Sequence, residues 1–428
     1  MSHMKTANRH FGGILRILTA FAAVVFGVCP HVWATGFGLY EASAKSYAMG
    51  GAVIGHACDA SANFHNPATL TDFTNAMVSV GFMTEHPRGR IKVNDGEYCH
   101  MDPGLFLLPS FQAAVPLGWD VVLGLGIMPE VGLGSAYDEN WPLACNSKET
   151  TVTSFTVNPN LAWKVTDDWS IAGGFRFLYF DFEQYSSPWV QSRAIGQLNN
   201  RLKGDNNFRD WGWQVGTKYD LLDNLSLGIV YKSRTLVHVK GKTQTSVRSV
   251  GPYGKGVVGP LAESMDGPAE TELLLPQSIT AGINYRPLPR WEVAGMVSWT
   301  EWSTVDTLDF KLNRMRKDIN LKWDDTWRFG LATGYEFVDD WTLIGSYVFE
   351  TDCTGDQLST MLPGSQRHLV SLGLDWRISD HWSCCLVYGI IFMDGLVSHA
   401  KGENDVVMNY EAHRALSHAA GFTLTYSF

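Results

Sequence analysis

Beyond its first 34 residues, the chain contains no apolar run long enough to cross a membrane as an α-helix. The longest such run, Cys384–Met393, has ten residues, about half of what a spanning helix requires. Charged residues are also scarce, at 18% of 428 residues, and the formal net charge is −10. Because this acidic balance offers no basic surface to a phosphate backbone, we expect no nucleic-acid partner.

The start of the chain has no acidic residue before Glu41. It carries three cations, then an apolar run at 17–28 that ends at Pro30. This order is typical of a secretory signal peptide. We therefore predict that residues 1–34 are removed by cleavage between Ala34 and Thr35, which exports the chain.

Glycine and aromatic residues are abundant, with 42 Gly and 12% aromatics. In Trp169–Tyr179 most large side chains occupy odd positions, and small or polar ones occupy even positions. This alternation indicates a β-strand with one apolar face, and aromatic residues at its ends are typical of transmembrane strands. A soluble β-sandwich, the alternative, would carry Lys, Glu and Thr on its outward face. The same alternation recurs at 225–234, 327–337, 341–349, 382–392 and 420–428.

Turn signals predict how the strands are connected. Six short clusters of Asp, Asn and Pro are typical of hairpin turns, and seven longer polar stretches alternate with them. Thirteen connections imply an all-β fold, a transmembrane antiparallel β-barrel of about 14 strands in the outer membrane of a Gram-negative bacterium. The last strand, ending at Phe428, is the expected signal for the barrel-assembly machinery. The long stretches lie near 86–103, 130–149, 185–205, 241–271, 303–324, 352–364 and 395–413.

A barrel of this size is too wide for its wall side chains to fill. Residues 35–74 are rich in Gly, Ala and Ser and precede the first predicted strand. Their small side chains favour a compact plug inside the lumen. We therefore divide the chain into a signal peptide (1–34), an N-terminal hatch (35–74) and a barrel (75–428).

Four cations are predicted to face the lumen, where each needs an anionic partner. One candidate partner is the head group of a carboxylate ligand. The alternative is an ion-pair network with Glu336, Asp375 or Glu350. The four cations are Lys232, Arg234, Arg328 and Arg176.

Six cysteines follow the predicted cleavage site, in a compartment that permits disulfides. Cys99 and Cys145 lie in neighbouring long loops and are the best candidate pair. The spacing of His56, Cys58, Asp59 and His65 matches no standard metal site. We therefore expect no metal and no cofactor.

Several ordered motifs resemble the FadL-type outer-membrane transporters. The predicted hatch carries Phe64-His65-Asn66-Pro67-Ala68, although Thr69 follows where a small residue is usual. Each motif alone is weak, but together they cover the mature chain in the expected order. The others lie at 35–44, 50–52, 59–61, 157–163, 227–234, 275–278, 298–303 and 323–328.

The resemblance implies a channel for passive uptake of hydrophobic molecules, expected to be long-chain fatty acids. It implies gating by the hatch, with Asn66, Pro67, Ala68 and Phe37 as gating residues. The cargo would leave sideways through the barrel wall into the outer-membrane lipids. We expect a monomer whose partners are this cargo, those lipids and the assembly machinery.

Two alternatives stay open. The cargo could instead be an aromatic hydrocarbon, as for other transporters of this type. An outer-membrane lipid hydrolase would use Ser and His, but no Ser or His shows a recognisable nucleophile context. We therefore predict that the protein is not an enzyme, and the plug argues against a polar porin.

Overall fold

The computed structural model describes residues 38–94, 96–138, 141–144, 147–187, 197–248, 254–354, 366–393, 397–401 and 407–428. In these ranges 22 strands form one antiparallel sheet. The sheet closes because β1 pairs with β22 from Met77↔Ser427 to Val93↔Tyr410. Closure leaves no strand edge facing lipid. The predicted signal peptide, with Ala34 and Thr35, and the predicted gating residue Phe37 lie outside the described residues.

The ring has fourteen wall positions, which confirms the predicted barrel. The 22 strands exceed this number because some are successive pieces of one wall position; β4 and β5, for example, both pair with β6. The first strands are β1 (Met77–Val93), β2 (Tyr98–Met101), β3 (Phe106–Gly118), β4 (Val121–Met128), β5 (Gly132–Ala136), β6 (Glu149–Lys164), β7 (Trp169–Ser186), β8 (Gln197–Asp205), β9 (Asp210–Leu222), β10 (Leu225–Lys232) and β11 (Thr235–Arg248).

The wall continues well past the predicted strand ends. The stretch 241–271, predicted as a loop, contains the end of β11 and a helix (Gly254–Met265) before the wall resumes. The remaining strands are β12 (Gly267–Leu275), β13 (Ser278–Leu288), β14 (Trp291–Thr300), β15 (Thr307–Leu312), β16 (Met315–Asn320), β17 (Thr326–Val338), β18 (Trp341–Glu350), β19 (Arg367–Arg377), β20 (Trp382–Met393), β21 (Val397–Lys401) and β22 (Val407–Ser427).

Tight turns join the strands at one end of the barrel, as predicted. Between β3 and β4 only Trp119 and Asp120 intervene, with φ of 54° and 60°. Two left-handed residues in a row form the turn whose twist matches that of paired strands. This end is called the short-turn end below, and the opposite end the long-loop end.

The two faces of the wall differ as the alternation predicts. Large apolar side chains on the outward face are exposed, including Phe175, Leu161 and Leu331 at 51–59%. Inward side chains such as Gln214 and Ser346 are polar and buried. Such a wall has the polarity that a lipid environment requires.

Residues 38–76, called the N-terminal segment, lie against the inner face of the ring, and most residues from 41 to 70 are buried. The segment contains α1 (Ala44–Ala48), α2 (Ala62–His65) and a 3₁₀ helix (Pro67–Asp72). Its polar groups bond strands on opposite sides of the ring: the side chain of Asn66 donates to the Thr217 carbonyl on β9, and the Ser371 hydroxyl on β19 donates to the Ala48 carbonyl. Only a segment inside the ring can reach opposite walls in this way.

The other helices lie at the long-loop end. They are α3 (Gly254–Met265) and a 3₁₀ helix (Trp302–Thr304). None of the helices in the described ranges combines the length and the hydrophobicity of a transmembrane helix.

The predicted disulfide stays a prediction, because Cys145 lies outside the described residues. Cys99 is buried in an apolar cluster that includes Trp141, Leu143 and Ala144, the residue before Cys145. We expect a Cys99–Cys145 bond, detected as linked peptides by mass spectrometry after alkylation without reductant. Alkylated thiols at both positions would contradict it, and Cys58 serves as the control because no pairing is predicted for it.

Candidate functional site

A narrow pocket lies between the N-terminal segment and the wall. Its cavity volume is about 40 Å³. The wall residues come from the long-loop ends of their strands, so the pocket lies on the long-loop side of the segment. Its lining includes Tyr40, Gly51, Ile54, Phe64 and His65 from the segment, and Val230, Lys232, Thr280, Met296, Ser298 and Arg328 from the wall.

Lys232, the last residue of β10, is a pocket cation that Glu130 attracts electrostatically but does not contact. Its Nζ atom lies 3.1 Å from the centroid of the Phe64 ring. Among the described residues no carboxylate forms an ion pair with it. A cation over an aromatic face is partly stabilised by the ring quadrupole, but a carboxylate would stabilise it more strongly.

Arg328 on β17 is the second pocket cation, and 6% of its surface is exposed. Its guanidinium carbon lies 3.8 Å from the centroid of the Tyr40 ring. Its Nε atom is 4.0 Å from Glu350, a partner that the sequence suggested. Since this separation is at the limit of an ion pair, the edge of the guanidinium can still accept a ligand carboxylate.

Arg176 is engaged elsewhere in the lumen. It forms an ion pair with Glu130, which lies between β4 and β5. It also donates to the Ser233 carbonyl at 2.7 Å, and Thr156 donates to Glu130 at 2.9 Å. This interaction follows the predicted alternative of a lumen ion pair, although Glu130 was not among the partners that the sequence suggested.

The prediction that Arg234 faces the lumen is wrong. The strand breaks between β10 and β11, so Ser233 is buried and the Arg234 side chain is 46% exposed. The guanidinium pairs with Glu301. The two residues at this break shift the alternation by one position, which turns Arg234 outward.

His65 lines the pocket as a neutral imidazole. Burial holds the pKa of His65 well below its ordinary value, and the neighbouring charges of Lys232 and Arg328 lower it further. The pocket therefore holds two cations and a neutral imidazole. This arrangement favours an anionic group.

An apolar cluster covers the pocket from the long-loop end. It is built from the inward faces of the wall extensions, and Trp302 packs against Trp323 with ring centroids 5.4 Å apart. The cluster also includes Phe180, Phe182, Val237, Leu273 and Phe310. A lumen lined in this way suits an apolar molecule and gives ions no hydrated path.

The Asn66-Pro67-Ala68 turn lies on the short-turn side of the pocket. The Asn66 side chain donates to the carbonyls of Ile54 and Thr217, at 2.8 and 3.1 Å. It also accepts from the Ala68 N–H at 3.1 Å. Asn66 is fully buried, so this one side chain ties the turn both to the segment and to the wall.

The fold and the site together define a class: a transmembrane β-barrel with its N-terminal segment packed against the inner face of the wall. Residues 25–428 match the family described as "Outer membrane protein transport protein (OMPP1/FadL/TodX)", so the chain belongs to that family. It is a FadL/TodX-type outer-membrane transporter of hydrophobic molecules. The members are transport channels, not enzymes.

Individual relatives are distant in sequence. The "Long-chain fatty acid transport protein" of Escherichia coli O6:H1 is 23% identical, over 92% of this chain and 95% of its own. A Pseudomonas aeruginosa FadL homologue shares the fold with a TM-score of 0.81 at 17% identity, over 92% of this chain and 100% of its own. The Pseudomonas putida toluene transporter TodX gives 0.71 at 16% identity, over 90% and 98%.

Proposed function

We propose that the chain takes up long-chain fatty acids across the outer membrane. The observation that carries the proposal is Lys232, a cation that lines the pocket against the Phe64 ring and forms no ion pair among the described residues. A fatty acid supplies the missing carboxylate to Lys232 and Arg328. Its alkyl chain matches the apolar cluster that covers the pocket.

The N-terminal segment is proposed as the hatch that closes the channel. It fills the ring below the pocket, and two ion pairs tie it to opposite walls, Lys45 to Asp375 and Lys218 to Asp72. Because these contacts block the direct path to the periplasm, cargo passes only when the segment shifts. The residues 66–68 are the proposed gating turn.

The proposed exit is sideways through the wall. The ladder between β6 and β7 is interrupted at Asn158 and Pro159, where the Asn158 side chain bonds the Phe175 carbonyl at 2.9 Å. Proline has no N–H for this ladder, which weakens the wall beside the segment. A lateral route spares each CH₂ group a cost of about 0.8 kcal/mol in water.

Lys232→Gln should weaken fatty-acid binding and uptake. Loss of a charge-assisted hydrogen bond costs about 1.5–3 kcal/mol, which corresponds to a roughly 10- to 150-fold weaker Kd. The measurement is uptake of labelled oleate at limiting concentration by cells that lack their own fatty-acid transporter. A sideways exit places the label in outer-membrane lipid before it reaches the periplasm.

The matched control is Arg234→Gln, which removes a neighbouring cation that is exposed and paired with Glu301. This variant should transport oleate normally. Toluene uptake tests the alternative cargo, since a neutral molecule does not need Lys232. The alternative outcome is that toluene enters and oleate does not, and that Lys232→Gln leaves toluene uptake unchanged. The chain would then be an aromatic-hydrocarbon channel instead.

A further inference from the structure

Both pocket cations are covered by aromatic rings of the N-terminal segment, but in different ways. Tyr40 stacks on Arg328, with the ring centroid 3.8 Å from the guanidinium carbon. Phe64 lies directly under the ammonium of Lys232, at 3.1 Å. A planar guanidinium can keep a ring on its face while its edge binds a carboxylate. The ammonium of lysine is instead a compact point charge, so a ring and a carboxylate are both drawn to the same centre.

A carboxylate bound to Lys232 would lie beside the face of the Phe64 ring. The face of an aromatic ring carries partial negative charge, so it attracts the cation and repels the anion. Both interactions are strong here because the pocket is shielded from water. The ring and the carboxylate therefore compete for one cation.

We propose that an anionic ligand and Phe64 compete for Lys232, so that ligand binding loosens the segment at α2. This inference rests on the proposed function, because it needs a carboxylate in the pocket. Phe64 belongs to α2 (Ala62–His65), which directly precedes the Asn66-Pro67-Ala68 turn. Phe64 is thus a positioning residue that couples the occupied pocket to the gating turn.

Thermodynamic reciprocity gives the proposal a sharp consequence. If the ring weakens carboxylate binding by some factor, the carboxylate weakens docking of the ring by the same factor. Removing the ring while keeping an apolar side chain should therefore tighten carboxylate binding. A purely structural role for Phe64 predicts unchanged or weaker binding instead.

Calorimetry on the full-length protein in neutral detergent tests this, with laurate as the anionic probe and dodecanol as the neutral probe. Phe64→Leu should bind laurate about 5- to 30-fold more tightly than the unaltered protein, with dodecanol affinity unchanged. Phe64→Tyr keeps an aromatic ring at this position and should keep the laurate affinity of the unaltered protein. Tyr40→Leu is the matched control, because Arg328 can bind a carboxylate with its ring in place.

Hydrogen exchange on the unaltered protein provides a second test of this competition, and it needs no variant. Laurate should increase exchange at residues 62–70, and dodecanol should not. Protection of these residues by laurate, or unchanged laurate affinity in Phe64→Leu, overturns this inference alone. If the unaltered protein fails to bind laurate, the proposed function falls as well.

Discussion

Replacing Gly228 with alanine should displace the N-terminal segment and make the barrel leak. A Cβ atom added at Gly228 would lie 1.9 Å from the carbonyl oxygen of Ile54 and 2.6 Å from its carbonyl carbon. These are backbone atoms, so no side-chain rotation relieves the clash. Overpacking costs about 1–3 kcal/mol, which shifts a docked-to-undocked equilibrium roughly 5- to 150-fold.

The same close approach recurs around the ring, which explains why the inner wall holds so many glycines. A Cβ at Gly216 would lie 2.1 Å from Oδ1 of Asn66, and one at Gly373 would lie 2.5 Å from Ala48. Side chains of the segment at these positions therefore pack directly against strand backbone that carries no side chain at the contact. Comparable contacts occur at Gly124, Gly282 and Gly389.

Leakage is measured as single-channel conductance in planar bilayers and as entry of a polar antibiotic into cells. The matched control is Gly173→Ala, because no atom lies closer than 3.8 Å to a Cβ at that strand position. Both variants should keep the heat-modifiable migration of a folded barrel. Equal, low conductance of Gly228→Ala and the unaltered protein would show that the segment tolerates the added methyl group.

The barrel itself could be predicted because lipid imposes a simple pattern. Wherever the wall meets lipid, large apolar side chains must alternate with small or polar ones, as in β7 and β17. The short turns could be predicted for a similar reason, since Asp, Asn and Gly suit their unusual backbone angles. Both signals are local in sequence.

The wall beyond the membrane could not be predicted, because lipid no longer constrains its outer face. Along β11, polar His238 and Lys240 face outward while Val237 and Val239 are buried. Without an apolar outer face, this stretch has the composition of a loop. The break before β11 also shifted the alternation and reversed the predicted direction of Arg234.

The candidate site could be predicted only in part. Lys232 and Arg328 were found because they interrupt inward faces that are otherwise small or apolar. Their aromatic partners, Phe64 and Tyr40, were missed because each contact joins residues far apart in the chain. The sequence offers one signal for Phe64, its position two residues before the Asn66-Pro67-Ala68 motif. This position indicates that Phe64 belongs to the motif, but not that it is a partner of a lumen cation.

Asn66→Asp should weaken docking of the gating turn more than any other conservative change in the segment. The carboxylate keeps an acceptor for the Ala68 N–H but removes the donor that now serves the carbonyls of Ile54 and Thr217. Each buried acceptor left without a partner costs about 1–3 kcal/mol. Two such acceptors cost about 2–6 kcal/mol together. Hydrogen-exchange protection of residues 66–73 should therefore fall by roughly 30-fold or more, and oleate uptake should become leaky.

Pro67→Ala is the matched control, because it changes the same turn but leaves all three hydrogen bonds of the Asn66 side chain in place. Its effect should stay within about 1 kcal/mol, since it acts chiefly by giving the undocked chain more freedom. The order of protection should be unaltered protein, then Pro67→Ala, then Asn66→Asp. If Pro67→Ala loses more protection than Asn66→Asp, the rigid ring of proline holds the turn, and the buried amide of Asn66 does not have the anchoring role assigned to it.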